Sequence, residues 1–243
     1  MTEVLINDKW PLLLPDWRAE FYAKHTSGWE AVRLDEMFKL VSPGMLIYDV
    51  GAEQGDFTSL YKLWTGETGD VIPIEPSPPY WPIIKEIWEM NHAGKPRNCF
   101  VGFASDDDYL SPQLIDFNQG EQFESWPVSA YREGIPEFGF RHLAQQTDST
   151  PQITIDSLSK ITGDPDIVVI DVEGAEWNVL HGSLELMKRN KPSFFVSIHP
   201  QTMKDWYNKT PEDIHALMEE NGYKKEYLGH EIEEFWVYTP VNN

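Results

Sequence analysis

The chain has 243 residues, 41% hydrophobic and 13% aromatic, enough for one large α/β domain with a full core. Nineteen Lys and Arg against forty Asp and Glu give a net charge of −21, a surface that repels polyanions, so neither a nucleic acid nor an anionic membrane is expected as partner. The single cysteine, Cys99, excludes an internal disulfide and a cysteine-only metal cage. No run reaches the ~18 apolar residues of a membrane helix, and a cytoplasmic protein is expected.

Residues 1–28 read as irregular: WPLLLPDW is too broken by proline for a long helix, and a strap packed on the body is expected. From Trp29 the spacing of Val32, Leu34, Met37, Phe38 and Leu40 predicts an amphipathic helix, stopped by Ser42-Pro43-Gly44. The apolar run Met45–Tyr48 then predicts a strand ending in Asp49. Gly51 and Gly55 follow in a tight segment, and Phe57, Leu60, Tyr61 and Trp64 recur at helical spacing. A second apolar run, Val71–Ile74, ends in Glu75. Strand, glycine turn, helix, strand and acid make the first half of a nucleotide-type binding fold.

A helix is predicted over Trp81–Asn91, and a third strand over Asn98–Ser105, ending in Asp106. Cys99 sits in that apolar run as a buried structural thiol. Residues 107–150 break the alternation with Gln, Gly, Pro and aromatics (Phe117, Phe123, Trp126, Tyr131, Phe138 and Phe140 among them), and read as a lid over the pocket. Gln152–Leu158 alternates like a short edge strand. Asp166–Ile170 has buried-strand character and ends in Asp171-Val-Glu173-Gly174-Ala-Glu176. A helix follows through Trp177 to Met187, then a strand over Ser193–Ile198 ending in His199. Thr210 and Pro211 open a helix that closes at Asn221-Gly222. Tyr223–Leu228 and Glu234–Tyr238 form the last two strands. The whole chain, 1–243, is one domain, with residues 1–41 as strap and helix and 107–150 as insertion.

The glycine spacing is G-x-x-x-G, and Glu53 stands where a dinucleotide fingerprint has its middle glycine. A carboxylate there opposes a pyrophosphate. A cationic, phosphate-free adenosine ligand fits better, and S-adenosylmethionine (SAM) is the obvious one. An NAD-type oxidoreductase is the enzyme alternative. A SAM-binding module without catalysis, using the aromatic insertion as an interface, is the other.

Asp49-Val-Gly-Ala-Glu-Gln-Gly55, Ile74-Glu-Pro76, Thr154-Ile-Asp-Ser-Leu158 and Asp166–Glu176 together resemble the FkbM family of SAM-dependent methyltransferases, in the right order over about residues 40–200. The resemblance implies a class I methyltransferase sheet of seven strands, order 3-2-1-4-5-7-6 with strand 7 antiparallel. It also implies O-methylation of a small polar acceptor such as a sugar or glycoside. Glu53-Gln54 departs from the family, which often has Asn-Ile or His there.

Charge assigns the roles. Asp49 and Glu53 face the SAM ammonium, backbone N–H groups near Gly51 take its carboxylate, and Glu75 takes the ribose hydroxyls. Gly51 and Gly55 let the backbone approach, while Ser105 and Asp106 meet the adenine edge. Asp171, Glu173 and His199 end strands 4 and 5 at the pocket mouth, with Asp171 also touching the cofactor. His199 is the natural base for an acceptor hydroxyl. The same three side chains could instead hold Mg²⁺ or Mn²⁺, the less favoured reading. Glu176 is expected to cap or pair at the start of its helix. His142 reads as a surface histidine within reach of an acceptor.

Overall fold

The computed structural model describes residues 1–24, 30–109, 114–116, 151–189 and 192–241. Its first element corrects the sequence reading. Residues expected to be an irregular strap form an antiparallel hairpin, β1 (Thr2–Ile6) and β2 (Trp10–Leu14), followed by helix α1 (Asp16–Lys24). Asn7 and Asp8 make the turn, both at positive φ, which their short polar side chains tolerate. Ile6, Leu12 and Leu14 are buried. The Asn91 side chain ties β2 to its neighbour, accepting the Leu13 N–H at 2.9 Å and donating to the Leu13 carbonyl at 2.8 Å.

Helix α2 (Ala31–Leu40) leads to β3 (Leu46–Val50), α3 (Asp56–Thr65), β4 (Asp70–Ile74) and α4 (Trp81–Asn91), all as expected. The third strand is shorter than its apolar run. β5 (Asn98–Phe100) stops at Gly102, and Phe103–Ala104 (β6) leaves the main sheet. A Cβ on Gly102 would stand 2.4 Å from the Pro151 carbonyl oxygen, so the glycine permits this bend. β6 pairs with β8 (Gln152–Ile153), which ends where helix α5 (Ile155–Thr162) begins. The strand expected over Gln152–Leu158 is thus mostly helix. Thr154 caps it by accepting the Ser157 N–H at 3.0 Å.

Of the insertion, residues 107–109 and the three-residue strand β7 (Leu114–Asp116) are described; His142 and the aromatics from Phe117 to Phe140 lie outside the described residues. β9 (Ile167–Ile170) is followed by two short helices, α6 (Glu176–His181) and α7 (Leu184–Arg189), where one was expected. After β10 (Ser193–Ile198), the turn α8 (Pro200–Thr202) runs into a π-helical turn, Met203–Tyr207. Helix α9 (Pro211–Glu220) starts at Thr210 and Pro211 as expected, with a capping box of Thr210 and Asp213, and β11 (Tyr223–His230) and β12 (Glu234–Pro240) close the chain.

The sheet runs β11-β12-β10-β9-β3-β4-β5-β7. Counting β3, β4, β5, β9, β10, β11 and β12 as strands 1 to 7, its core has the order 3-2-1-4-5-7-6. β12 is antiparallel to β10, and β7 is an added antiparallel edge. Alternate residues of each central strand face opposite layers. Tyr48, Val50, Val168 and Ile170 pack with α5, α6, α7 and α9. Ile47, Ile167, Val169 and Phe195 pack with the hairpin, α1, α2 and α3. Cys99 is fully buried. No helix of the described residues is long and apolar enough to cross a membrane.

Candidate active site

A cavity of about 640 Å³ opens at the C-terminal ends of β3, β4, β9 and β10, where an open parallel sheet places its ligand. Asp49, Gly51, Glu53, Gly55 and Glu75 line it on the side of the first two strands, and Asp171, Glu173 and His199 on the other.

The glycine loop is built by backbone crowding. Gly51 has φ +87°, and a Cβ on it would stand 1.8 Å from the Asp171 carbonyl oxygen. Gly55 has φ +81°, and its Cβ would press on Ile84 of α4 at 3.1 Å. Both glycines therefore let protein backbone approach protein first, and both also border the cavity. The Gly51 and Ala52 N–H groups donate to the Ile74 carbonyl at 2.9 and 3.2 Å, and the Gly55 N–H to Ala52. The Glu53 N–H donates to Glu75. These donors are thus engaged, which corrects the expectation that they receive a ligand carboxylate. A cation the sequence reading did not single out borders the same end of the cavity: Arg18 of α1, whose Nε donates to Asp56 at 2.6 Å.

Glu75 is 4% exposed. Its Oε2 accepts the Glu53 N–H at 2.9 Å and its Oε1 the Ser77 N–H at 2.7 Å. Burial pushes its carboxyl up to about 8 despite those two donors. Asp49 is also buried and accepts the Thr58 hydroxyl, and burial lifts it to about 6. Glu53 sits at φ +46°, its carboxyl raised by burial against the pull of Arg18.

Ser105 and Asp106 are not brought to this cavity. Following β6 rather than a prolonged third strand, they pack on α6, where Asp106 Oδ1 accepts from Ser105 Oγ at 3.2 Å and Asn178 Nδ2 at 3.0 Å. Ala104 borders the cavity instead.

On the opposite side Asp171 follows β9, Glu173 stands two residues on, and His199 follows β10. His199 Nδ1 lies 2.8 Å from Glu176 Oε1, and its Nε2 lies 3.5 Å from Glu173 Oε2 and 3.8 Å from Asp171 Oδ1. Glu176 is fully buried and also accepts the Gly174 N–H at 2.8 Å. The expected pairing at the helix start is therefore present, and its partner is His199. Burial lowers the imidazole's basicity, but the Glu176 hydrogen bond and the charges of Glu176, Asp171 and Glu173 outweigh it and raise the pKa to about 10. Both ring nitrogens then carry protons at neutral pH. The expectation of His199 as general base is at odds with these surroundings, since three carboxylates favour its protonated form.

Trp206 and Tyr207 of the π-helical turn, and Ile232 and Glu233 between the last two strands, line the outer cavity. No spacing in the sequence marks them: Trp206 and Tyr207 come from the turn that follows β10, and Ile232 and Glu233 from the pairing of β11 and β12 beside it.

A sheet ordered in this way, with a glycine loop after its first strand and a buried acid after its second, defines the class I methyltransferase fold. The sequence model described as the methyltransferase FkbM domain matches residues 49–225, and the chain belongs to that family of SAM-dependent methyltransferases. No curated protein matches the chain in sequence. Among solved structures it is similar to a precorrin 8w decarboxylase of Methanobacterium thermoautotrophicum (13% identity, 87% of this chain and 90% of that one, TM-score 0.50). It is also similar to an FkbM methyltransferase of Methylobacillus flagellatus (13% identity, 93% and 56%, TM-score 0.49). A SAM-dependent O-methyltransferase of Thermotoga maritima is a third (12% identity, 96% and 74%, TM-score 0.47).

Proposed function

We propose that this methyltransferase methylates a hydroxyl oxygen of a small polar acceptor, such as a sugar or glycoside, in the cytoplasm. The observation that carries the reading is a cavity with two chemically distinct sides: buried Glu75 and Asp49 on one, and Asp171, Glu173 and His199 on the other.

The first side fits SAM. The whole cavity has the volume for a ligand of that size. Glu75, held rigidly by two backbone donors, retains oxygen lone pairs for ribose hydroxyls. Asp49 and Glu53 supply negative charge for the ammonium, and Arg18 supplies the positive charge for the carboxylate. Bound there, the cofactor supplies an electrophilic methyl group. The protein's task is to align the acceptor oxygen with it, exclude water and remove the hydroxyl proton.

That work falls to Asp171, Glu173 and His199, with a carboxylate rather than the protonated imidazole taking the proton. Trp206, Tyr207 and Ile232 give the outer cavity the apolar surface on which a sugar ring can pack. The net charge of −21 favours a small acceptor over a nucleic acid.

Calorimetry tests the cofactor half: S-adenosylhomocysteine should bind and NAD should not. Release of S-adenosylhomocysteine across a panel of sugars and glycosides tests the acceptor half. Tight NAD binding in place of the adenosyl ligand would overturn the reading, and cofactor binding without turnover on any hydroxyl would favour a binding module.

A further inference from the structure

We propose that Asp171, Glu173 and His199 bind one divalent cation, and that this cation grips the acceptor through two neighbouring oxygens. The second half rests on the methyltransferase reading; the cation site does not.

The three ligating atoms lie within 4.8 Å of one another. His199 Nε2 is 3.5 Å from one carboxylate oxygen and 3.8 Å from the other. Those gaps are long for hydrogen bonds. They leave room for an ion between the imidazole nitrogen and the two carboxylate oxygens.

Three further observations set this group apart from a chance meeting of acids. The His199 side chain is 9% exposed, yet the residue lines the cavity. Behind it, Nδ1 is held at 2.8 Å by Glu176, which is itself fully buried and anchored on the Gly174 N–H. A carboxylate behind an imidazole fixes the ring orientation and tautomer of a metal-ligating histidine. Finally, Glu173 is held at φ +56°, in the left-handed region that disfavours side chains, and Gly174 at +113°. Gly174 has no room for a Cβ, which would stand 2.7 Å from Thr202 Cγ2, three residues beyond His199. Glu173 thus holds a costly backbone conformation beside the imidazole.

Glu30, Asp171 and Glu233 form a second cluster of the same width. It has no imidazole, and Glu30 is ion-paired with Arg33. The structure therefore assigns the ion to the first set, with Glu233 beside it on the cavity wall. One imidazole and two carboxylates suit Mn²⁺ better than Mg²⁺. On binding, the ion takes the place of the Nε2 proton, which leaves to solvent. An ion with three protein ligands keeps positions for two adjacent acceptor oxygens, and it lowers the pKa of a hydroxyl it holds. A vicinal diol or an α-hydroxy acid is the acceptor class this geometry selects.

The experiment titrates the full chain with MnCl₂ and follows free Mn²⁺ by electron paramagnetic resonance. One tight site per chain is expected. Glu173→Gln and His199→Gln should weaken it about tenfold or more, and Glu219→Gln, at an exposed position on α9, should leave it unchanged. Glu173 is over a third exposed, so its variant tests the site even if the His199 variant fails to fold. Only weak, scattered binding, or full affinity in Glu173→Gln, would overturn the site. With SAM present, Mn²⁺ should stimulate turnover of vicinal diols and not of isolated alcohols; equal rates for both would overturn the chelated acceptor. S-adenosylhomocysteine binding, measured separately without metal, keeps the two readings distinguishable.

Discussion

The Glu75 carboxylate accepts the backbone N–H of Glu53 at 2.9 Å, so the acid ending the second strand is bolted to the glycine loop ending the first. One side chain thereby positions both halves of the proposed cofactor site, and its buried carboxyl makes the site sensitive to pH.

Glu75→Ala removes the loop's anchor and the ribose acceptor together. S-adenosylhomocysteine affinity should fall about 100-fold or more, as for the loss of a buried hydrogen-bonding group worth roughly 3 kcal/mol. Calorimetry checks this; unchanged affinity would remove Glu75 from the site.

The same residue sets a pH dependence. Its carboxyl is raised from 4.5 to about 8 in the folded chain, so folding favours the protonated form. Its contribution to stability is complete below 4.5 and is lost as pH rises through about 8. Urea unfolding of ligand-free protein should show stability falling across that window, by at most about 1.4 kcal/mol per pH unit from this group. Glu75→Gln should be less stable at low pH and show a flatter slope; an unchanged slope would refute the assignment.

Gly51→Ala meets a carbonyl oxygen 1.8 Å from the new methyl carbon, at a φ of +87°. Because the obstacle is backbone, relief requires parting β3 from β9. A loss of about 4 kcal/mol or more is expected, together with loss of cofactor binding. Denaturation showing less than about 1 kcal/mol would mean that the loop can move aside.

Arg18→Gln separates a ligand role from a structural one. Binding of S-adenosylhomocysteine should weaken about tenfold, while methylthioadenosine, which has no amino-acid carboxylate, should bind as before. An equal loss for both ligands would show that Arg18 serves only to hold Asp56.

Glu176→Gln leaves the shape of the His199 pocket intact but removes the charge behind the ring. Turnover should drop about 10–100-fold with cofactor affinity unchanged. A fall in cofactor affinity alone would move Glu176 to the other side of the cavity.

The central sheet was legible because its parallel strands are buried on both faces and appear as continuous apolar runs with acids at their ends. Asp49, Glu75 and Asp171 could be placed on one rim for that reason. Other features depend on contacts distant in sequence. Pro11 and Pro15 concealed the hairpin, whose partner strand, Thr2–Ile6, carries no strong pattern. Ile153 and Ile155 alternate like a strand, but the Thr154 cap starts a helix between them. Ser105 and Asp106 followed from a third strand that Gly102 interrupts. The charge state of His199 was hidden most completely, since it depends on Glu176, a residue 23 positions earlier whose carboxylate turns inward.

Arg18 and Phe21 border the cavity from α1, ahead of the stretch at 49–225 that the family shares. A chain without α1 would lose that side wall, leaving the cavity flooded from one flank.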